Sequence, residues 1–175
     1  MAHFNIVLHE PEIPSNTGNI GRTCVVTGTT LHIIGPLTFS LSDKAAKRAG
    51  MDYWPRLDYR YYMDYADFCE KNPGARIYYA TTKAHQLYTE VSYGEDDFLM
   101  FGPESRGIPE EILVDHEDTC VRIPMRENER SLNLADSAAI VLYEALRQNR
   151  FRGLEPYGRL HRMHWKSEES YDEFC

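Results

Sequence analysis

The sequence predicts an α/β fold in which a parallel sheet is flanked by helices on both faces. Short apolar runs that suit buried strands alternate along the chain with segments whose apolar residues recur at helical spacing. Such alternation is typical of βαβ units, which build parallel sheets. The chain has 175 residues, of which 42% are hydrophobic. This length favours one domain, and this composition is sufficient for a buried core.

Five short apolar runs are predicted as strands. The run "FLMF" is the clearest case, because it is uniformly apolar and is followed at once by Gly102 and Pro103. Gly and Pro mark the end of a regular element. The predicted strands span residues 4–10, 30–36, 76–82, 97–102 and 119–125.

Four segments between or after these strands are predicted as helices. Residues 42–50 begin with Ser and Asp, which cap helix N-termini, and end with Gly, which suits a helix C-terminus. The longest segment is apolar at every third or fourth position, as in an amphipathic helix. The predicted helices span residues 19–28, 42–50, 62–72 and 131–151, and the proline-containing stretch 11–18 is predicted as a loop.

Composition and charge exclude several protein classes. The formal net charge of −8 and the pI of about 5.3 exclude a globally basic nucleic-acid binder. No run approaches the ~18 apolar residues of a membrane helix, and the N-terminus lacks the pattern of a signal peptide. The four cysteines form no C-x-x-C pair, so they are expected to be mostly small buried residues of a cytoplasmic protein.

Unusual residues cluster in four loops, each of which follows a predicted strand. They comprise residues 10–22, 81–83, 102–109 and 124–137. Ligands of parallel sheets bind beyond the carboxyl ends of the strands, so these loops are expected to line one site. The chain lacks a dinucleotide fingerprint, a P-loop, a nucleophile elbow and metal-binding histidine spacing, so no metal is expected.

Three ordered motifs resemble the SPOUT superfamily of S-adenosylmethionine-dependent RNA methyltransferases. They are "NIVLHEPEIPSNTGNIGRTC", "LMFGPESRGIP" and "IPMRENERSLNLADSAAIVLYEA". The likeness is greatest to the minimal members that methylate the ribose 2′-hydroxyl of the tRNA wobble nucleotide, position 34, in cytidine or modified uridine. It covers residues 4–152, and the segments "SDKAAKRAGMDYW" and "YYATTK" share it.

The resemblance implies an architecture and partners. It implies a single methyltransferase domain over residues 1–152 with a C-terminal deep trefoil knot. Residues 153–175 lack a steady periodicity, and we expect them to form a tail. It also implies a homodimer that acts on the anticodon loop of tRNA and binds no membrane. Two alternatives stay open, namely methylation of another tRNA or rRNA nucleotide, and an RNA-binding protein that has lost catalysis.

The resemblance also implies a set of residues that hold the methyl donor, S-adenosylmethionine. Mainly backbone groups are expected to bind the adenosyl moiety in an apolar pocket with few polar points. The implied donor-binding residues are Ala80, Thr81, Gly102, Ile123, Met125, Ser131 and Leu132. Gly102 is expected to let the backbone approach the ligand closely.

The implied catalytic residues are Arg22, Asn16, Glu104, Ser131 and Asn133. Three roles are open for Arg22: binding the neighbouring phosphate, lowering the pKa of the hydroxyl, or accepting its proton. We favour an electrostatic role, because arginine is effectively always protonated. Glu104 is expected to orient Arg22 or a loop across the pocket, whereas the two asparagines are expected to position the ribose.

Positive charge is concentrated in two patches, which are expected to contact RNA phosphates. The first comprises Lys44, Lys47, Arg48, Arg56 and Arg60, and the second comprises Arg147, Arg150, Arg152, Arg159, Arg162 and Lys166, with Tyr157 and Trp165 among them. Candidates for a dimer interface are Ile20, Val25, Leu142, Tyr143 and Leu146, although core packing is preferred for most of them.

Overall fold

The chain builds one six-stranded sheet in which every neighbouring pair of strands is parallel. A computed structural model describes residues 3–41, 52–163 and 165. The strands are β1 (Asn5–His9), β2 (Thr30–Ile34), β3 (Tyr59–Tyr62), β4 (Ile77–Ala80), β5 (Phe98–Phe101) and β6 (Cys120–Val121), and their spatial order is β3-β2-β1-β5-β4-β6. The central strand β1 therefore lies between β2 and β5, so its carboxyl end faces the middle of one sheet edge.

Four α-helices accompany the sheet in the described part of the chain. They are α1 (Pro14–Thr27), α2 (Tyr65–Lys71), α3 (Glu110–Leu113) and α4 (Leu134–Gln148). Short 3₁₀ turns occupy Trp54–Arg56 and Glu117–Thr119. The helix predicted over residues 42–50 lies outside the described residues.

Each face of the sheet has its own hydrophobic core. On one face, Ile20 of α1 and Leu142 of α4 pack with the alternate strand residues Ile6, Leu8 and Leu99. The opposite face holds Phe68 of α2 and Leu113 of α3 against the strand residues Val7, Ile34, Tyr79 and Met100. The predicted parallel sheet with helices on both faces is therefore confirmed.

The prediction of a helix over 62–72 was wrong at its N-terminal end. Residues 59–62 form edge strand β3, and the helix begins only at Tyr65. Asp64 sets that start, because its carboxylate accepts a hydrogen bond from the backbone N–H of Asp67 at 2.8 Å. The strand was missed because only Tyr62 of its four residues is buried, so the sequence lacks an alternating pattern.

Three further boundaries differ from the prediction. Helix α1 begins at Pro14, within the stretch predicted as a loop, because proline at the first helical position has no N–H to leave unpaired. Helix α4 begins at Leu134, with Asn133 as its N-cap. The predicted strand 119–125 is reduced to the two residues of β6 and an isolated bridge at Arg122.

Three of the interface candidates belong to the core. Ile20, Leu142 and Leu146 are buried, Val25 is half-buried, and only Tyr143 presents a large exposed surface. Among the helices in the described ranges, none has the length and apolar character needed to cross a bilayer.

Candidate active site

A cavity of about 610 Å³ lies at the carboxyl edge of the sheet, where the loops after β1, β4 and β5 meet the loop before α4. Every residue predicted to bind the methyl donor lines it: Ala80, Thr81, Gly102, Ile123, Met125, Ser131 and Leu132. The prediction that the four loops converge is confirmed, because the strands that feed them are parallel and end at the same edge.

Four of the five predicted catalytic residues line the same cavity. They are Asn16, Glu104, Ser131 and Asn133. Arg22 is not among the lining residues. The structure therefore joins the donor-binding and catalytic sets in one place, with this one exception.

Glu104 fastens the loop before α1 to the loop after β5. Its Oε2 accepts a hydrogen bond from the backbone N–H of Glu12 at 2.8 Å, and its Oε1 accepts one from Ile13 N–H at 3.3 Å. Oε1 also accepts one from the side-chain amide of Asn16 at 2.9 Å. The catalytic role predicted for Glu104, namely orientation of Arg22 or of a partner loop across the pocket, stays a prediction.

A second carboxylate makes the same connection in the opposite direction. Glu12 accepts hydrogen bonds from the backbone N–H of Ser105 at 3.0 Å and from its hydroxyl at 2.7 Å. Beside this pair, the guanidinium of Arg106 donates to the carboxylate of Glu10. The two loops are thus joined reciprocally, and this wall of the cavity has a fixed shape.

Asn133 connects the first wall to the third motif. Its side-chain N–H₂ donates to Oδ1 of Asn16 at 3.1 Å, while its own Oδ1 accepts hydrogen bonds from Ala135 N–H at 2.8 Å and Asp136 N–H at 3.4 Å. The same side chain therefore caps α4 and orients Asn16. A continuous chain of hydrogen bonds runs from Glu104 through Asn16 to Asn133.

Gly102 is required for close backbone packing within the loop 102–109. A Cβ at this position would lie 2.2 Å from the backbone nitrogen of Ile108 and 2.3 Å from the carbonyl carbon of Gly107. The glycine therefore permits close packing of two segments of the loop 102–109, in addition to lining the cavity.

Arg22 lies on an exposed surface of α1, with 63% of its side chain accessible. Its guanidinium stands 5.0 Å from the ring centre of Tyr53 and 3.5 Å from a carboxylate oxygen of Asp52. The Tyr53 hydroxyl donates to the Gly18 carbonyl at 2.6 Å, and burial raises the pKa of Tyr53. The uncharged Tyr53 is therefore bound to α1 and packs against the Arg22 guanidinium.

Sequence reasoning did not single out two cationic residues at the cavity, namely Lys83 and Arg130. Lys83 forms an ion pair with Glu110 at 3.0 Å, and Arg106 pairs with Glu10, as described above. The sequence feature that could have identified Lys83 and Arg130 is their position in loops that follow the predicted strands. Within the residues that the structure describes, no group of three His, Cys, Asp or Glu side chains could hold a metal ion.

Comparison with known proteins assigns the family. The profile described as the SpoU rRNA methylase family matches residues 3–143. The chain belongs to this family. A Saccharophagus degradans relative named tRNA (cytidine(34)-2′-O)-methyltransferase is 48% identical over 151 residues, which cover 86% of this chain and 98% of the relative.

Solved structures share the fold. One, described under the heading "Structural insights into the 2-OH methylation of C/U34 on tRNA", is 44% identical, with a TM-score of 0.80, over 86% of this chain and 99% of that one. An rRNA methyltransferase from Sinorhizobium meliloti with AdoMet bound is 26% identical, with a TM-score of 0.73, over 83% of this chain and 56% of that one.

Proposed function

We propose that this protein transfers a methyl group from S-adenosylmethionine to the ribose 2′-hydroxyl of the wobble nucleotide, position 34, of tRNA. The observation that carries the proposal is the convergence of all three motifs on one cavity, joined by the hydrogen bonds of Glu104, Asn16 and Asn133. Support for the tRNA substrate comes from the relative of 48% identity, whose name states that activity and whose length is matched almost completely.

The cavity suits S-adenosylmethionine in size and chemistry. A volume of about 610 Å³ falls within the range of small-molecule sites. Ala80, Ile123, Met125 and Leu132 supply apolar surface, and Ser131 supplies a hydroxyl. We assign these residues, with Thr81 and Gly102, to the donor.

The reaction moves a methyl group between two atoms. The donor supplies a sulfonium whose S–CH₃ bond breaks while the ribose oxygen forms the new O–CH₃ bond and loses its proton. The chain must hold the oxygen in line with the methyl carbon and stabilise the charge that develops on it. We assign the positioning task to Asn16 and Asn133, because Glu104 and the cap of α4 fix both amides.

Arg22 requires a different arrangement, because it lies outside the cavity of its own chain. We propose a homodimer formed through α1 and α4, which carry exposed apolar side chains at Val26, Ile140 and Tyr143. Pairing of this surface would bring Arg22 beside the cavity of the partner subunit, where its positive charge would stabilise the 2′-oxygen or bind the adjacent phosphate.

Three further features belong to this proposal. We propose the C-terminal trefoil knot, supported by the membership of the chain in the SpoU methylase family. We keep the division into a domain over 1–152 and a tail over 153–175. A tRNA substrate also favours a cytoplasmic location.

The decisive experiment is methyl transfer from labelled S-adenosylmethionine to total tRNA, followed by nuclease digestion that locates the label. Label on the 2′-oxygen of nucleotide 34 is the expected result. Label on another nucleotide would overturn the substrate assignment, and binding of the donor without any transfer to tRNA or rRNA would overturn the enzyme assignment.

A further inference from the structure

The segment after α4 contributes no residue to the cavity described above. The alignment with the Saccharophagus degradans relative covers 98% of that protein but only 86% of this chain. The family profile ends at residue 143. What this segment binds is therefore inferred from its own residues.

The root of the segment, residues 148–153, is fixed by hydrogen bonds and by its backbone conformation. Asn149 donates its side-chain N–H₂ to the Tyr93 carbonyl at 3.0 Å, and Gln148 accepts a hydrogen bond from Tyr93 N–H at 2.9 Å. Arg150, Phe151 and Gly153 all have positive φ, so the backbone turns sharply as it leaves the helix. The direction in which the chain departs is thereby fixed by the fold.

Beyond this root, residues 155–163 form no helix or strand, and every one of them is exposed. Tyr157 is 83% accessible and Met163 is 73% accessible. Arg159 and Arg162 form no ion pair with the residues that the structure describes. Large side chains that stay in water, without a core to cover, indicate a surface that contacts something else.

The chemistry of the segment identifies the contact. Between residues 150 and 163 there are four arginines and one glutamate, although the whole chain carries a net charge of −8. Cationic and aromatic side chains interleave at Tyr157, Arg159, Arg162 and Trp165. Guanidinium groups bind phosphates, and aromatic rings stack on unpaired bases, so this combination suits a flexible single-stranded or loop region of RNA.

The position of the segment separates it from the chemistry. Helix α4 starts at the cavity and has 15 residues, so its far end lies about 22 Å from the cavity at 1.5 Å per residue. A segment rooted there begins about one helix length from the cavity of its own subunit, and we expect it to meet the RNA away from the reacting nucleotide. Its contribution is therefore to affinity and not to the rate of transfer.

We propose that residues 155–163 form an accessory RNA-binding segment that contacts the phosphates and bases of the substrate outside the methylated nucleotide. Arg159 and Arg162 contact phosphates, and Tyr157 stacks on a base. The proposal rests on the proposed function only in taking tRNA as the RNA.

The test measures the Kd of the full-length protein for total tRNA by fluorescence anisotropy at several salt concentrations. A variant carrying Arg159→Ala and Arg162→Ala loses two phosphate contacts, so its slope of log Kd against log salt should decrease by about 1.4. Its loss of affinity should accordingly be about sevenfold larger at 50 mM than at 200 mM salt. The matched control carries Arg159→Lys and Arg162→Lys, which keeps both charges and should keep the slope.

A second variant tests the stacking contact. Tyr157→Ala should weaken binding at least about fivefold at every salt concentration, whereas Tyr157→Phe, which keeps the ring, should not. The kcat for methyl transfer should stay unchanged in all these variants, and the KM for tRNA should follow the Kd.

The outcomes separate this proposal from the proposed function. An unchanged Kd and slope in the double alanine variant, with normal methylation of nucleotide 34, would overturn the segment's role alone. Weakened binding with an unchanged salt slope and a changed oligomeric state would overturn it in favour of subunit assembly. The predicted slope change without methylation at nucleotide 34 would support the segment and overturn the substrate assignment.

Discussion

Replacing Glu104 by Gln removes one carboxylate oxygen from the junction between the first two motif loops. The remaining oxygen can keep the partners of Oε1, namely Ile13 N–H and the Asn16 amide, but the new N–H₂ then faces the N–H of Glu12. One hydrogen bond to a charged group is lost and two donors oppose each other. A hydrogen bond of that kind contributes about 1.5–3 kcal/mol.

The expected effect is a loss of methyl transfer by roughly 10- to 150-fold, the factor that corresponds to this free energy. Binding of S-adenosylmethionine should change far less, because Ala80, Ile123 and Met125 are positioned by the strands β4 and β6 and not by Glu104. Single-turnover rates measure the transfer, isothermal titration calorimetry measures the Kd of the donor, and the melting temperature reports the fold.

Glu70→Gln is the matched control, because Glu70 is an exposed residue of α2, outside the cavity, and we expect that variant to behave as the wild type does. A Glu104→Gln protein with full turnover would refute the reasoning. An equal loss of donor binding and transfer would also refute it, because the loop before α1 would then serve the donor and not the ribose.

Three further predictions concern Arg22, Gly102 and His32. Arg22→Ala should keep donor binding and abolish transfer. If the site is shared between subunits, an equal mixture of the Arg22→Ala protein and an inactive Asn133→Ala protein should restore about a quarter of the activity. No restoration of activity would refute the sharing. Gly102→Ala should reduce the melting temperature and donor affinity together, because its Cβ would lie 2.2 Å from backbone nitrogen; wild-type values of both would contradict the packing argument. Burial lowers the pKa of His32 to about 4. Between pH 6.5 and 4 the unfolded chain therefore binds a proton that the folded chain does not. The free energy of unfolding should fall by about 3 kcal/mol as the pH drops through that window. Urea titrations across this range should show a shallower pH dependence for His32→Gln, and an identical slope would contradict the assignment.

The convergence of the motif loops was predictable from the sequence, because parallel strands deliver their carboxyl ends to one edge. The connection that Glu12 makes between two of those loops was not. The bonds from Glu12 to Ser105 join residues 93 positions apart, and they depend on the path of two loops for which the sequence carries no periodic signal. Glu12 was consequently missed as a structural partner of the second motif.

The location of Arg22 was missed because the start of α1 was missed. With the helix assumed to begin at residue 19, Asn16 and Arg22 have no defined relation. In the structure both belong to α1, which begins at Pro14. Six residues at about 100° each then separate the two side chains by about 120° around the helix axis. The position at which α1 begins, and not the identity of residue 22, determines that Asn16 and not Arg22 faces the cavity.

Asn133 limits how this enzyme can diverge. As a helix cap, an aspartate or a serine would serve equally well, so selection for stability alone would accept all three at this position. The bond to Asn16, however, needs a donor, which an ionised carboxylate lacks, and it needs the reach of an amide, which a serine lacks. A lineage that acquired the substitution Asn133→Asp would keep its fold and lose its activity, so a genetic screen for stable but inactive proteins should recover that single-codon change.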